Sequence, residues 1–298
     1  MSPVDNATAP VDASLSSMNP APTILVQVTD LHIREPGRLA YRRVDTSAYF
    51  RAMVDAVLAL QQRPHAVVIS GDLTDFGRAD EYASLQAQLA SLEAAGLPIY
   101  LMPGNHDDRA ELRRAFSTHA YLGDGPFVQF AVDVGPLRLL ALDTCMPMQS
   151  AGTLDADRLA WLEHQLDAST DRPVVIAMHH PPFETLIGHM DKIGLLAGGP
   201  ELEAIVSRHP NVERVICGHL HRAIDVRFGG TIASTCPGPA HQVCLDLDPN
   251  AESAWTLEPP SFRVHAWNPK EGRLVTHLAA SGAFEGPYPF FESGALID

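Results

Sequence analysis

The chain is short of basic residues: 21 Lys and Arg stand against 36 Asp and Glu in 298 residues, a net charge of −15 with histidine neutral. That balance argues against a surface for nucleic-acid polymers or anionic membranes, which needs clustered cations. An anionic partner would have to meet a local positive centre, and bound metal ions would supply one. Long apolar runs are also lacking, since no stretch approaches the roughly 18–20 residues of a membrane span. Only four cysteines occur (Cys145, Cys217, Cys236, Cys244), without CxxC spacing. Reduced thiols and a cytoplasmic protein are the expectation. The first 22 residues carry neither a basic nor an apolar leader segment and read as a disordered tail. Residues 23–298 then form a single domain.

What is present is a regular alternation. Apolar strand candidates (Ile24–Thr29, Ala66–Ser70, Ile99–Met102, Leu137–Leu142, Val174–Met178, Arg214–Cys217) alternate with helical stripes. Phe50, Met53, Val54, Val57 and Leu58 make one stripe; Tyr82, Leu85, Leu89 and Leu92 make another, ended by Gly96. Asp155 is placed to cap a third helix carrying Leu159, Leu162 and Leu166. This pattern predicts a layered α/β architecture. From Thr231 onward only short strand-like pieces follow, expected to complete a second sheet.

The chemistry-bearing residues sit where those strands end. Asp30-Leu-His32, Gly71-Asp72-Leu-Thr-Asp75, Gly104-Asn105-His106-Asp107, His179-His180-Pro-Pro and Gly218-His219-Leu-His221 each follow an apolar run. Open α/β sheets place their sites at this end of the strands. Carboxylate, amide oxygen and imidazole without thiolate suit Mn, Fe, Zn or Co rather than a structural zinc site. There are enough ligands for two ions, with one carboxylate bridging. Alternate residues in Asp-x-His and His-x-His converge only if the backbone leaves regular strand geometry. Each motif alone is weak: Gly-Asp is usually a turn. Their joint occurrence is what is specific.

Taken in order, the five motifs resemble those of the calcineurin-like metallophosphoesterases. Gly-Arg-x-x-x-Tyr after the second motif, MHHPP and Pro237-Gly-x-x-His241-Gln resemble the class III cyclic-nucleotide phosphodiesterases, and still more the bacterial glycerophosphodiesterases of that group. The resemblance implies a four-layer αββα sandwich. It implies that Asp30, His32, Asp72 and His221 hold one ion and that Asp72, Asn105, His179 and His219 hold the other, with His180 behind the ligands or against substrate. The implied reaction is hydrolysis of a small phosphodiester, a 3′,5′-cyclic nucleotide or a glycerophosphodiester. Two divalent or mixed-valence ions would lower the pKa of bound water toward ~7 and orient the phosphate. With two aspartates and a hydroxide, the centre keeps a charge of about +1, suited to a monoanion.

His106 is expected to aid the transition state or protonate the leaving group, with Asp107 orienting it. Arg34, Tyr41 and His241 are candidate substrate contacts. The stretch from His180 to Pro200 is expected to border the substrate and exclude polymers. His189, like His65 and His265, matches no motif and is expected to be ordinary. The competing readings are a phosphomonoesterase or nuclease, which would want more Arg and Lys, and a non-catalytic metal-binding scaffold, which would be expected to have lost ligands. The β-rich part from 231 to 298 is expected to pair subunits in a homodimer or larger oligomer.

Overall fold

A computed structural model describes residues 20–297. The expected N-terminal tail lies outside them, apart from residues 20–22. In chain order the first elements are β1 (Thr23–Val28), α1 (Thr46–Leu58), β2 (Ala66–Ser70), α2 (Ala79–Ala94), β3 (Ile99–Met102) and α3 (Arg109–Ala115). Next come β4 (Phe130–Val134), β5 (Leu137–Leu142), β6 (Gly152–Thr153), α4 (Ala156–Asp167), β7 (Val174–Met178), α5 (Gly188–Asp191) and β8 (Leu195–Ala197). The remainder are α6 (Gly199–Ser207), β9 (Val212–Cys217), β10 (Ile224–Phe228), β11 (Thr231–Thr235), β12 (Gln242–Val243), β13 (Trp255–Thr256), β14 (Ser261–Asn268) and β15 (Arg273–Ala280), then β16 (Phe291–Glu292) and β17 (Ala295–Leu296).

The helices follow from local chemistry. Asp45 and Asp155 each accept a hydrogen bond from the first turn of α1 and α4, at Ala48 N and Arg158 N. Phe50, Met53, Val54 and Val57 turn one face of α1 inward, whereas Leu58, expected in that stripe, is 39% exposed. Gly96 follows α2 with φ of +68°, the left-handed conformation that ends helices.

Two sheets carry the core. One has the order β15-β14-β1-β2-β3, the other β10-β11-β9-β7-β5-β4. The strands β1-β2-β3 and β5-β7-β9-β11 are parallel neighbours. Parallel strands need cover on both faces, and here they have it. Leu25, Val68 and Met102 of the first sheet meet Leu139, Val175 and Ile216 of the second in an inter-sheet core. Val26, Val67 and Leu101 point the other way, onto α1 and α2, while Leu140, Ile176 and Val215 pack on α4 and α6. The layers are therefore helix, sheet, sheet, helix, as expected. The β-rich tail divides instead of completing one sheet: β11 joins the second, while β14 and β15 extend the first.

A buried polar chain ties the two sheets together beneath the strand ends. Gln27 donates to Ser70 Oγ and to the Cys217 carbonyl, both at 2.9 Å. Its own oxygen lies 3.2 Å from His265 Nε2, and Thr276 Oγ1 is 2.9 Å from His265 Nδ1. Burial, helped by the Arg214 and Arg263 cations, holds the His265 pKa well below its usual value. The native state thus keeps this imidazole neutral while the unfolded chain takes up a proton near pH ~6.5. Its stabilising share is present above that pH and lost as pH falls, with a slope of up to about 1.4 kcal/mol per unit. Glutamine at 265 can offer the same donor and acceptor without titrating. The urea midpoint of H265Q should accordingly fall less than that of the parent between pH 7 and 5; equal slopes would remove His265 from the account.

Candidate metal centre

Five strand ends converge at one edge of the sandwich. The loops after β1 and β2 run side by side, with Asp30 N donating to the Gly71 carbonyl and His32 N to that of Asp72, each at 3.0 Å. The loop after β9 crosses to the first sheet, where His219 N donates to both oxygens of Asp30 at 3.0 and 3.1 Å. The expected departure from strand geometry is observed. Asp30, His32, Asp72, His219 and His221 all have positive φ, between 46° and 70°. Left-handed non-glycine residues cost of order 1–3 kcal/mol each and persist only where surroundings enforce them. Five in one site mark it as built for convergence rather than stability.

The side chains present lone pairs to one another. Each of His179, His221 and His32 points Nδ1 at an acceptor: the Ser70 carbonyl (2.9 Å), the His241 carbonyl (2.9 Å) and Asp75 Oδ1 (3.2 Å). Nδ1 therefore carries the proton in the neutral rings, and Nε2 is bare. Yet His32 Nε2 and His221 Nε2 face each other at 3.3 Å, beside Asp72 Oδ2 and Asp30 Oδ1 at 3.6 and 3.5 Å. On the other side, His179 Nε2 and His219 Nδ1 lie 3.1 and 3.0 Å from Asn105 Oδ1, and Asp72 Oδ1 is 3.4 Å from His179 Nε2. Acceptors clustered out of water need a cation between them.

The electrostatics agree. Burial alone would push His179 down, but the Asp72 and Asp30 carboxylates and the Ser70 carbonyl raise it to about 9. Asp72 is held well below the usual carboxylate range by His179, His106 and His32, against the opposing pull of burial. The site draws positive charge to Asp72 whichever cation brings it. Asp30, His32, Asp72 and His221 offer ligand atoms all within 4.8 Å of one another, and so do His179, His180 and His219. His180 nevertheless does not fit as a ligand. Its Nδ1 lies 2.8 Å from Thr144 Oγ1 and its Nε2 3.1 Å from the Ser150 carbonyl, so both nitrogens are engaged. Burial and the neighbouring His179 bring its pKa down to about 3, which keeps it neutral.

Other expectations are corrected here. His180 is fully buried behind His179 and His219 and is not among the residues that line the cavity over the site. Asp107 does not orient His106. Its carboxylate instead accepts from Leu73 N, Thr74 N and Oγ1, Gly104 N and Tyr82 OH, stitching the loops after β2 and β3 and helix α2 together beneath the site. The partner of His106 Nδ1 is the Asp75 carbonyl at 2.8 Å, and His106 N donates to Asp72 Oδ1 at 2.9 Å. Arg34 is spent on carboxylates, pairing with Asp75, Glu35 and Glu81, and does not line the cavity. Of the motif glycines Gly71, Gly104 and Gly218, only Gly71 uses positive φ (+98°), while a Cβ at Gly104 or Gly218 would fall 2.2 Å from Asp72 or Thr29, so those two allow close approach of neighbouring loops.

Above the convergence lies a cavity of about 190 Å³. Its floor holds His32, Asp72, Asn105, His219 and His221, with His106 on one side. Tyr41, His241 and Trp255 form an aromatic wall, with ring centroids 5.0 Å (Tyr41–His241) and 5.5 Å (Tyr41–Trp255) apart. The Tyr41 side chain is half exposed, but partial burial of the phenol beside Asp75, Asp72 and Asp30 pushes it up to about 12, so it remains a neutral donor. The 180–200 stretch borders the cavity through His189, Met190 and Ile193. Sequence reasoning missed His189 and Trp255, which belong to no motif.

Asp75 serves both His32 and His106, so it holds a ligand-type imidazole and a cavity imidazole together. Supporting carboxylates of this kind typically account for 10–100-fold in metal affinity. D75N should lose about that much in metal titrations, and unchanged affinity would show that His32 needs no orienting partner.

The comparisons with known proteins follow the same residues. The calcineurin-like phosphoesterase family model matches residues 24–223. A probable glycerophosphodiester phosphodiesterase GpdQ of Arcobacter nitrofigilis is 36% identical over 92% of this chain and 100% of its own. A probable cyclic nucleotide phosphodiesterase of Rhodopseudomonas palustris is 33% identical over 91% of this chain and 97% of its own. Among solved structures, a dimetal phosphatase from Danio rerio superposes with a TM-score of 0.58 at 19% identity, covering 88% of this chain and 100% of that one. That likeness concerns the fold. With the family model spanning all five strand-end motifs and relatives matching end to end, this chain belongs to the calcineurin-like phosphoesterase family.

Proposed function

We propose that this protein hydrolyses small phosphodiesters at a two-metal centre. Asp30, His32, Asp72 and His221 would hold one ion, and Asp72, Asn105, His179 and His219 the other, with Asp72 common to both sets. Fe, Mn, Zn and Co all suit these donors. When bound, the ions supply a Lewis acid and water of lowered pKa. The remaining work falls to side chains. His106, anchored through Nδ1, offers Nε2 to a phosphoryl or leaving oxygen. Tyr41, Trp255 and His241 provide a wall for the ester substituent.

One observation carries the choice of a diester: among the described residues, the cavity lining contains no Lys or Arg. A dianionic monoester or a polynucleotide would want such cations, while a diester monoanion is met by the metals and neutral imidazoles. Its relatives' names point to glycerophosphodiesters or cyclic nucleotides as substrates. The test is a panel of cAMP, glycerophosphocholine, a phosphonate monoester and p-nitrophenyl phosphate, on protein of measured metal content. Diesters should lead the phosphomonoester by about 10²-fold in kcat/KM. A preference for the phosphomonoester would sink the proposal.

We read 23–298 as one domain, supported by the core that both sheets share. A cytoplasmic setting is supported by four unpaired cysteines, and no helix of the described residues is long and apolar enough to cross a membrane. The C-terminal arm, with Phe284, Tyr288, Phe290, Phe291 and Leu296 exposed, suits pairing with a second copy of the chain. Truncation after Ser281 should convert a dimer to a monomer in analytical ultracentrifugation, and an unaltered mass would assign the arm no such role.

A further inference from the structure

His189 has no place in the five motifs, yet it sits on the segment that covers the site. It lies in α5, and it is one of the residues that line the cavity. Both of its ring nitrogens are buried, and neither has a hydrogen-bond partner among the described residues. A neutral imidazole always carries one N–H and one lone pair, so leaving both unpaired out of water costs stability unless something else meets them. Among the described residues, His189 belongs to none of the groups able to share a metal ion.

The segment is held firmly rather than left to float. Ile187 and Met190 are buried against Leu220 and Val243. Asp191 Oδ1 accepts from Thr185 N and Oγ1 at 2.8 and 2.7 Å. Gly188 lies so close to Pro249 that a Cβ there would come within 2.8 Å of its carbonyl oxygen. The imidazole is thus pre-positioned over the site, with its polar atoms unspent.

Resting on the phosphodiester reading above, we propose that His189 is a substrate-binding residue that donates a hydrogen bond to the phosphate group of the bound diester. In a cavity without Lys or Arg, the phosphoryl oxygens turned away from the metals have only neutral donors to meet them. A single neutral N–H suits a monoanion and adds no charge that would favour a monoester. The bond needs no titration, since either tautomer keeps one donor.

The test compares H189Q, which keeps a donor, with H189M, which keeps bulk without one. Dimethyl phosphate, which carries the phosphodiester group and no distinctive substituent, is titrated into metal-loaded protein by calorimetry. Metal content and the melting temperature are measured in parallel. H189M should weaken dimethyl phosphate binding about tenfold, whereas H189Q should stay within about threefold of the parent. Metal content should be unchanged, and H189M should melt no lower than the parent because it removes two unpaired buried nitrogens. Equal binding by H189M and H189Q would overturn the proposal. So would a melting temperature lowered in H189M with binding intact, which makes the ring a packing element. Binding of cAMP or glycerophosphocholine weakened with dimethyl phosphate unaffected would move the contact to the ester substituent and also overturn it. A parent protein that turns over no diester and does not bind dimethyl phosphate fails the phosphodiester reading itself, a result distinct from the others.

Discussion

Asp72→Asn is expected to lower turnover of bis(p-nitrophenyl) phosphate by roughly 10³-fold or more and to release bound metal, with the fold intact. Among the described residues, Asp72 is the carboxylate that faces both groups of lone pairs. Its Oδ1 lies 3.4 Å from His179 Nε2 and its Oδ2 3.6 Å from His32 Nε2. An amide of the same shape can still accept from His106 N through its oxygen, as Oδ1 does now. Its NH₂ group, however, would donate to an imidazole lone pair where a cation should sit. Asparagine also tolerates the left-handed backbone at this position, where φ is +48°. Without metal, the variant removes the carboxylate that balances the protonated His179 imidazole and leaves that buried charge without its partner, so its melting temperature should fall below that of the metal-free parent. Metal analysis and turnover on the same preparation check both halves. Retained turnover would refute the two-metal mechanism.

Gly104→Ala should be nearly as damaging, for a steric reason. A Cβ at Gly104 would fall 2.2 Å from both the backbone nitrogen and Oδ1 of Asp72, and 2.8 Å from His179 Cε1. None of these atoms ends a flexible side chain free to swing aside. The loops after β2 and β3 must separate, and Asp72 or Asn105 must leave its position. A misplacement of about 1 Å in a reacting constellation can cost 10²-fold, so kcat/KM should fall by about that much or more. Overpacking should add about 1–3 kcal/mol of destabilisation, seen in urea unfolding. Gly125→Ala is the control, since nothing lies within 4 Å of a Cβ there. Activity of G104A matching that of G125A would mean the loops are not so tightly opposed.

Much of this site is legible in the chain because its ligands are local to strand ends. Each apolar run ends in a short group of oxygen or imidazole residues, and parallel strands bring those ends to one edge. The helical stripes read correctly for a similar reason: periodicity is a local property, and only Leu58 at the end of α1 strayed. By itself the sequence determined the donor chemistry, the excess of acid over base and the alternation of strand and helix.

Tertiary structure decided what depends on direction and on distant partners. His179 and His180 are chemically identical neighbours, but successive side chains along an extended backbone point opposite ways, so one faces Asp72 and the other Thr144. Asp75 and Asp107 both follow strand-end ligands, yet only the meeting of the loops after β2 and β3 gives Asp75 to His106 and Asp107 to the backbone. The tail's strands show no sign in their own residues of which sheet they will join. Strand pairing is settled by neighbours far along the chain, and β14 finds β1 more than 200 residues away. His189 is the furthest case. Nothing beside it in sequence marks it, and it reaches the cavity only because Ile187 and Met190 bury themselves against Leu220 and Val243, carrying the imidazole between them over the site.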